Sequence, residues 1–201
     1  MGRPSNRAER RAQITEGLLR VMARAGYDGA SIQAIAKEAG LAPGLVHYHY
    51  GAKEEILLDL VGRLEDGVAG RYRRRAARAR DAWGRLDAFV DAHLALGRDA
   101  DPDAVACWVA LAAEAGRRPA VHEAWRDALR RSLATLEGLV AEVLAEQGRD
   151  GASPRAAAAA LLAAIHGAWQ LSAAEGLTPR GTAARAVRAA ARGIVRAQED
   201  S

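Results

Sequence analysis

The sequence predicts an all-α protein of about nine helices, and three observations carry that expectation. β-branched and aromatic residues never alternate over a useful window, so strand signals are nearly absent. Ala, Leu, Arg and Glu dominate instead, and all four are good helix formers. Proline and glycine then punctuate the chain at helical lengths. Asp101-Pro102, Ser153-Pro154 and Thr178-Pro179 each place a capping side chain before a proline suited to the first helical position. Gly26, Gly40, Gly51, Gly97, Gly116, Gly148 and Gly176 stand where helices can end.

Cutting at these marks gives helices over 5–25, 32–39, 43–50, 53–79, 82–97, 102–115, 119–147, 154–175 and 179–198. The second helix opens on Ser31 as its cap and lines one side with Ile32, Ile35 and Ala39, while small Ala36 admits a close neighbour. Gly40 permits a sharp turn and Leu41 plugs the corner. The third helix turns Val46 and Tyr50 inward, leaving Pro43, Gly44, Leu45, His47, Tyr48 and His49 outward. The fourth carries one apolar stripe of Ile56, Leu57, Leu60, Val61, Leu64 and Val68, then ends in a run, Arg71 to Arg80, with six arginines in ten residues. Two readings of that run stand: a solvated helix end whose cations suit the dipole, or a second polyanion contact. The helix over 119–147 has a sustained stripe of Val121, Trp125, Leu129, Leu133, Leu136, Val140 and Val143. The helix over 154–175 combines Ala157, Ala160, Leu161, Ala164, Ile165, Ala168 and Leu171.

Composition narrows the class. Of 201 residues half are hydrophobic, 27% are charged and 4% are aromatic, which is enough apolar material for a real core and argues against intrinsic disorder. A single cysteine, Cys107, excludes an internal disulfide framework and a multi-cysteine zinc site. The longest apolar run, Ala156 to Trp169, already contains His166 and falls short of the ~20 residues a membrane span needs. No apolar signal core follows the basic start MGRPSNRAERR, so a soluble, cytoplasmic protein is expected, without membrane partners. No Ser/His/Asp set, HExxH, phosphate loop or EF-hand occurs, so no enzyme is expected, and no cofactor.

Charge is unevenly placed. Residues 1–53 hold eight Lys or Arg against four acids, so the entire net charge of +4 lies there and the remainder is balanced. A polyanion partner is implied for that quarter alone. The same quarter contains Ser31-Ile-Gln-Ala-Ile-Ala-Lys-Glu-Ala-Gly-Leu-Ala-Pro-Gly-Leu-Val-His-Tyr-His-Tyr50. Two short helices around a glycine-containing turn form the helix-turn-helix pattern, whose second helix enters the DNA major groove. Its outward hydrogen-bonding residues can reach bases or phosphates, Gly44 lets backbone approach backbone, and Lys53 begins the next helix where a phosphate could meet its charge. His47 and His49 as metal ligands are set aside, because residues two apart on a helix do not face each other and no carboxylate or cysteine completes the set.

Residues 14–60 resemble the DNA-binding domain of the TetR family in order, spacing and residue type, from Ile14 through Gly26-Tyr27, Ser31, IAKEAG and the Gly44 to Tyr50 run to Lys53-Glu-Glu-Ile-Leu. The resemblance implies that Ser31, Gln33, Pro43, Gly44, His47, Tyr48, His49 and Lys53 face DNA. Two departures stand out: His47 where tyrosine is usual, and Ala42 where Ser or Thr commonly caps the recognition helix and touches phosphate. Losing that hydroxyl should weaken the cap by ~1 kcal/mol.

The resemblance further implies a division into a DNA-binding domain over 1–53 and a ligand-binding and dimerisation domain over 54–201. Dimer-interface candidates are Leu129, Leu133, Leu136, Val140 and Val143 with Ala157, Leu161, Ala164 and Ala168, which would build a four-helix bundle on a two-fold axis. Polar and aromatic residues amid apolar neighbours nominate a ligand pocket: Phe89, His93, Cys107, Trp108, Glu114, His122, Trp125, His166 and Trp169, with Trp83 the remaining aromatic of note. The segment from Trp108 onward, with AAIHGAWQLSAAEG at 163–176, more loosely resembles the C-terminal domain of choline-responsive repressors of betaine synthesis. A quaternary ammonium ligand would want an aromatic cage. The expected function is a dimeric, ligand-responsive transcriptional regulator, released as a repressor from a palindromic operator by a small-molecule inducer whose identity stays open. The alternatives are an activator, or a helical adaptor or membrane-surface protein using Arg71 to Arg80.

Overall fold

A computed structural model describes residues 6–94, 101–149, 153–173 and 181–197. Its described residues are helical and contain no strand. The elements are α1 (Asn6–Gly29), α2 (Ile32–Ala39), α3 (Pro43–His49), α4 (Lys53–Ala76), α5 (Ala82–Leu94), α6 (Pro102–Ala115), α7 (Pro119–Glu146), α8 (Pro154–Ala173) and α9 (Ala183–Arg196). The chain forms two compact units, 1–65 with 101–126 and 66–100 with 127–201, so the division falls inside α4 and inside α7.

Local chemistry accounts for most helix ends. Asp101 caps α6 by accepting from Ala104 N–H at 3.0 Å, with Pro102 in the first turn as the sequence implies. The Thr178-Pro179 signal and the glycines at 97 and 176 lie outside the described residues. α9 begins at Ala183 rather than 179, and α4 closes at Ala76, three residues before the expected end. At Gly26 the backbone turns left-handed (φ 68°), which kinks α1 where the sequence placed its end; a further turn follows to Gly29.

In the first unit Ile14, Leu18, Ile35, Val46, Ile56, Leu57 and Leu60 are wholly buried. Each such side chain contributes roughly 1.5–3 kcal/mol through removal from water. α1 crosses α2 so closely that a Cβ on Gly17 would stand 2.7 Å from Ile35 O, which makes glycine a steric requirement there. α6 packs on α1, and its Cys107 Sγ–H donates to Leu19 O at 3.4 Å. Burial pushes the Cys107 thiol up to about 12, so this cysteine is an inert core residue.

In the second unit α5, α8 and α9 pack on one another. Arg188 and Arg192 of α9 pair with Asp91 and Asp87 of α5 at 2.7 Å each, and Arg192 lies 5.0 Å over the Trp83 ring. Here one sequence expectation is corrected. Leu136, Val140, Val143, Ala157 and Leu161, offered as dimer contacts, are buried in the chain's own core, whereas Leu129, Leu133, Ala164 and Ala168 are half-buried and stay candidates. An apolar stripe marks the face a helix buries first against its own chain. The exposed positions include small residues among the charged ones: Ala134, Gly138 and Ala141 on α7, and Ala156, Ala160, Ala163 and Gly167 on α8, with Leu171 50% exposed.

Candidate nucleic-acid interface

The site is assembled from two short helices held by neighbours. Ser31 adopts extended backbone (φ −74°, ψ 157°), and its Oγ accepts from Ala34 N–H at 3.1 Å, opening α2. Gly40 is left-handed (φ 67°) and closes α2 by donating its N–H to Lys37 O, and Leu41 N–H donates to Ala36 O. α3 follows after Ala42, whose side chain makes no cap, with Pro43 in the first turn. The missing hydroxyl costs this seven-residue helix about 1 kcal/mol.

What holds α3 is a network at its C-terminal end. Arg11 of α1 donates through Nε and Nη2 to Asp59 Oδ2 at 3.0 and 2.6 Å and through Nη1 to His49 O at 3.1 Å. Its guanidinium lies 4.1 Å over the Tyr50 ring, whose hydroxyl donates to Asp59 Oδ2 at 2.7 Å. Burial, then the bond to Asp59, raises the Tyr50 phenol well above its ordinary value, so it stays a donor. These four residues tie α1, α3 and α4 together and fix the direction in which α3 points.

Val46 and Tyr50 face inward as expected. Ser31, Gln33, Pro43, Gly44 and His47 are exposed, and Tyr48 is 80% exposed. His49 is corrected: expected outward, it is 8% exposed, with Nδ1 buried and without a hydrogen-bond partner among the described residues. It lies three residues after Val46, so one helical turn brings it to the buried side. Its ring packs edge-on to Tyr48 with centroids 5.1 Å apart. Lys53 is half-buried; its Nζ donates to Tyr27 O at 2.8 Å and lies 4.0 Å over that ring. Burial draws its ammonium below the usual lysine range, against the pull of Asp28. Two of its three N–H donors remain beyond the Tyr27 bond.

The positive surface is thinner than the sequence count. Arg20 and Arg24 pair with Glu16 and Glu38, and the bond from Arg24 holds the Glu38 carboxyl below its usual value. Arg7 and Lys37 are exposed and form no ion pair among the described residues. Both were missing from the sequence-based site, where only their charge could have signalled them.

The nine ligand-pocket candidates separate into two groups. Phe89, His93, Trp169 and His166 come together in the second unit, with ring centroids 4.4, 5.7 and 4.7 Å apart in that order. Tyr72, which the sequence did not single out, extends the chain at 5.7 Å from Phe89. His93 Nδ1–H donates to Phe89 O at 2.8 Å, and Trp169 Nε1–H donates to His93 O at 3.1 Å. Burial lowers His93 to about 4 and lowers His166 as well, so both rings are neutral near pH 7. Cys107, Trp108, Glu114, His122 and Trp125 belong to the first unit. Three of these are corrected as pocket candidates: Cys107 is spent on Leu19, buried Glu114 pairs with Arg118 at 3.1 Å, and His122 is exposed. Trp108 is buried, and half-buried Trp125 keeps its Nε1 away from solvent and from any hydrogen-bond partner among the described residues.

Comparison with known proteins adds independent findings. Residues 14–60 match the family model of bacterial regulatory proteins of the TetR family, and residues 82–198 match that of the BetI-type transcriptional repressor C-terminal domain. The HTH-type transcriptional regulator BetI of Paraburkholderia phymatum is 30% identical over 164 residues, covering 81% of each chain. Among solved structures, a transcriptional regulator from Rhodococcus sp. Rha1 superposes with a TM-score of 0.80 at 24% identity, over 93% of this chain and 96% of that one. A protein from Saccharomonospora viridis, described as a transcriptional regulator in complex with choline, gives 0.76 at 24% identity over 94% and 96%.

Proposed function

Because the chain belongs to the TetR family of bacterial regulatory proteins, with a C-terminal region of the BetI repressor type, we propose that α3 reads one half of a palindromic operator and that a small-molecule inducer releases it. One observation carries the assignment of α3: Tyr48, a large aromatic side chain, stands 80% exposed on the second helix of a helix-turn-helix whose other face is buried. DNA offers that exposed ring sugar, methyl and phosphate partners. His47, Gln33 and Ser31 supply hydrogen bonds beside it, Pro43 and Gly44 let the backbone come close, and Lys53 adds a cation for phosphate.

The functional division proposed is DNA binding by residues 1–53 and ligand binding and dimerisation by 54–201. Two recognition helices on a two-fold axis double the sequence read, and the exposed small-residue faces of α7 and α8 are the proposed contact. The aromatic and neutral-histidine cluster of Tyr72, Phe89, His93, Trp169 and His166 is the proposed seat of the inducer. The Saccharomonospora protein is described in complex with choline, a quaternary ammonium of the chemical class that aromatic faces attract. For release, the inducer must bind the DNA-incompetent state more tightly, and α4, which starts at Lys53 directly after α3, is the element it would tilt.

The rival use of Arg71 to Arg80 as an adaptor or membrane surface is less favoured. Arg71 is already committed to Ala92 O at 2.7 Å, and both family models that match the chain are of bacterial transcriptional regulators. Selection of DNA from a random pool tests the proposal. The expected product is a palindrome with half-sites about one helical turn apart, and joint replacement of His47 and Tyr48 by alanine should abolish its binding while helicity and assembly persist. A non-palindromic product, or unchanged affinity in the double variant, would refute it.

A further inference from the structure

Tyr27, one residue beyond the left-handed Gly26, is 3% exposed, and two cations lie over its ring. Lys53 Nζ is 4.0 Å from the ring centroid and Arg118 Cζ is 4.6 Å from it. Arg118 is carried by the short connection between α6 and α7. It is held there by several acids at once: Nε on buried Glu114 at 3.1 Å, Nη1 on Glu54 at 3.7 Å and Nη2 on Asp28 at 4.0 Å. Neighbouring Arg117 reaches Asp28 at 3.5 Å.

Two of the acids that Arg118 occupies, Asp28 and Glu114, also attract the charge of Lys53. Glu54 is its chain neighbour, and Asp28 adjoins Tyr27, whose carbonyl Lys53 holds. Without Arg118, Glu54 and buried Glu114 would lose this partner while Asp28 keeps Arg117, and carboxylates so freed would compete with a phosphate for the Lys53 ammonium. With Arg118 in place those carboxylates are paired and the Tyr27 ring is fixed on its other cation.

We propose that Arg118 is a positioning residue for DNA binding: it pairs Asp28, Glu54 and Glu114 and clamps the Tyr27 ring, so that the free N–H donors of Lys53 are presented to a phosphate. The connection between α6 and α7 thereby reaches the recognition unit without passing along α4, and its displacement withdraws the Lys53 contact. The inference rests on the reading of Lys53 as a phosphate contact, so the test includes Lys53 itself.

The salt dependence of binding to the selected duplex counts phosphate contacts, at about 0.9 in the slope of log affinity against log salt for each. Wild type, K53Q, R118Q, R118K and the R118Q/K53Q double variant are compared, with thermal melts recorded for each. K53Q and R118Q should each flatten the slope by about 0.9 and weaken binding several-fold, and the double variant should match K53Q alone. R118K, which keeps the charge and loses the planar stack, should fall between wild type and R118Q; it carries the test if R118Q does not fold. An unchanged slope in R118K and R118Q, or losses that add in the double variant, overturns the proposal while leaving Lys53 as a contact. An unchanged slope in K53Q overturns both.

Discussion

α3 and α8 are both helices with one buried side, yet the sequence was informative about their exposed sides to very different degrees. On α3 the exposed side holds His47 and Tyr48, residue types with hydrogen bonds and a ring to offer. On α8 it holds Ala156, Ala159, Ala160, Ala163 and Gly167, with Arg155 near the start and Gln170 and Leu171 near the end. Periodicity found the apolar stripe in both helices, and a stripe reports what the chain buries for itself. The proposed functions sit on the opposite side, where a histidine and a tyrosine are conspicuous and a row of small residues is silent.

The largest effect that sharpens this contrast comes from paired changes on the two sides of α8. Leu161→Ala on the buried side should cost about 2–5 kcal/mol in chemical denaturation, as large-to-small core changes do, and leave the dimer intact. Gly167→Arg on the exposed side, where a Cβ would meet nothing within 4 Å, should preserve helicity and shift sedimentation from dimer to monomer. A dimer surviving Gly167→Arg would break the assignment of that face.

Acid should next separate the buried histidine from the exposed one. His93 is held near 4 in the folded state by burial, against about 6.5 in an unfolded chain. Below 6.5 the unfolded state therefore takes up a proton that the folded state refuses, and stability falls as pH drops from 6.5 towards 4. The loss amounts to a few kcal/mol at full development. His93→Gln should flatten the stability–pH curve over that interval, measured by denaturation at a series of pH values; a parallel curve would contradict the burial argument.

The smallest effect concerns the one weak joint of α3. Ala42→Ser restores a capping oxygen to a helix that begins without a side-chain cap, and should add about 0.5–1 kcal/mol to stability. If the hydroxyl also meets a phosphate, operator affinity rises with it in a gel shift. A loss of stability would show that the extended backbone at Ala42 does not suit a serine cap.

Helix positions were largely legible because they are set locally. Asp101-Pro102 capped α6, Ser31 capped α2, and glycines at 26 and 40 produced left-handed turns where the spacing demanded them. The candidate DNA face was legible for the same reason, apart from His49, whose place one turn after Val46 outweighed its polarity. The ligand candidates were less so: nine residues with similar local surroundings fell into separate units, and Cys107, Glu114 and His122 turned out to be core, ion-pair and surface residues.

By itself the sequence determined an all-α chain, the approximate limits of its helices, a basic first quarter and, Leu45 and His49 aside, the residues that α3 offers to solvent. Each depends on capping, periodicity or charge within a few residues, where chain connectivity already fixes who meets whom. Only the tertiary structure decided that Arg11 locks α3 through His49 O and Asp59, and that Arg118, from a distant stretch of the chain, reaches Tyr27. It also decided that Leu136 and Leu161 belong to the core. Those facts join residues tens of positions apart, and such a contact depends on how whole helices pack.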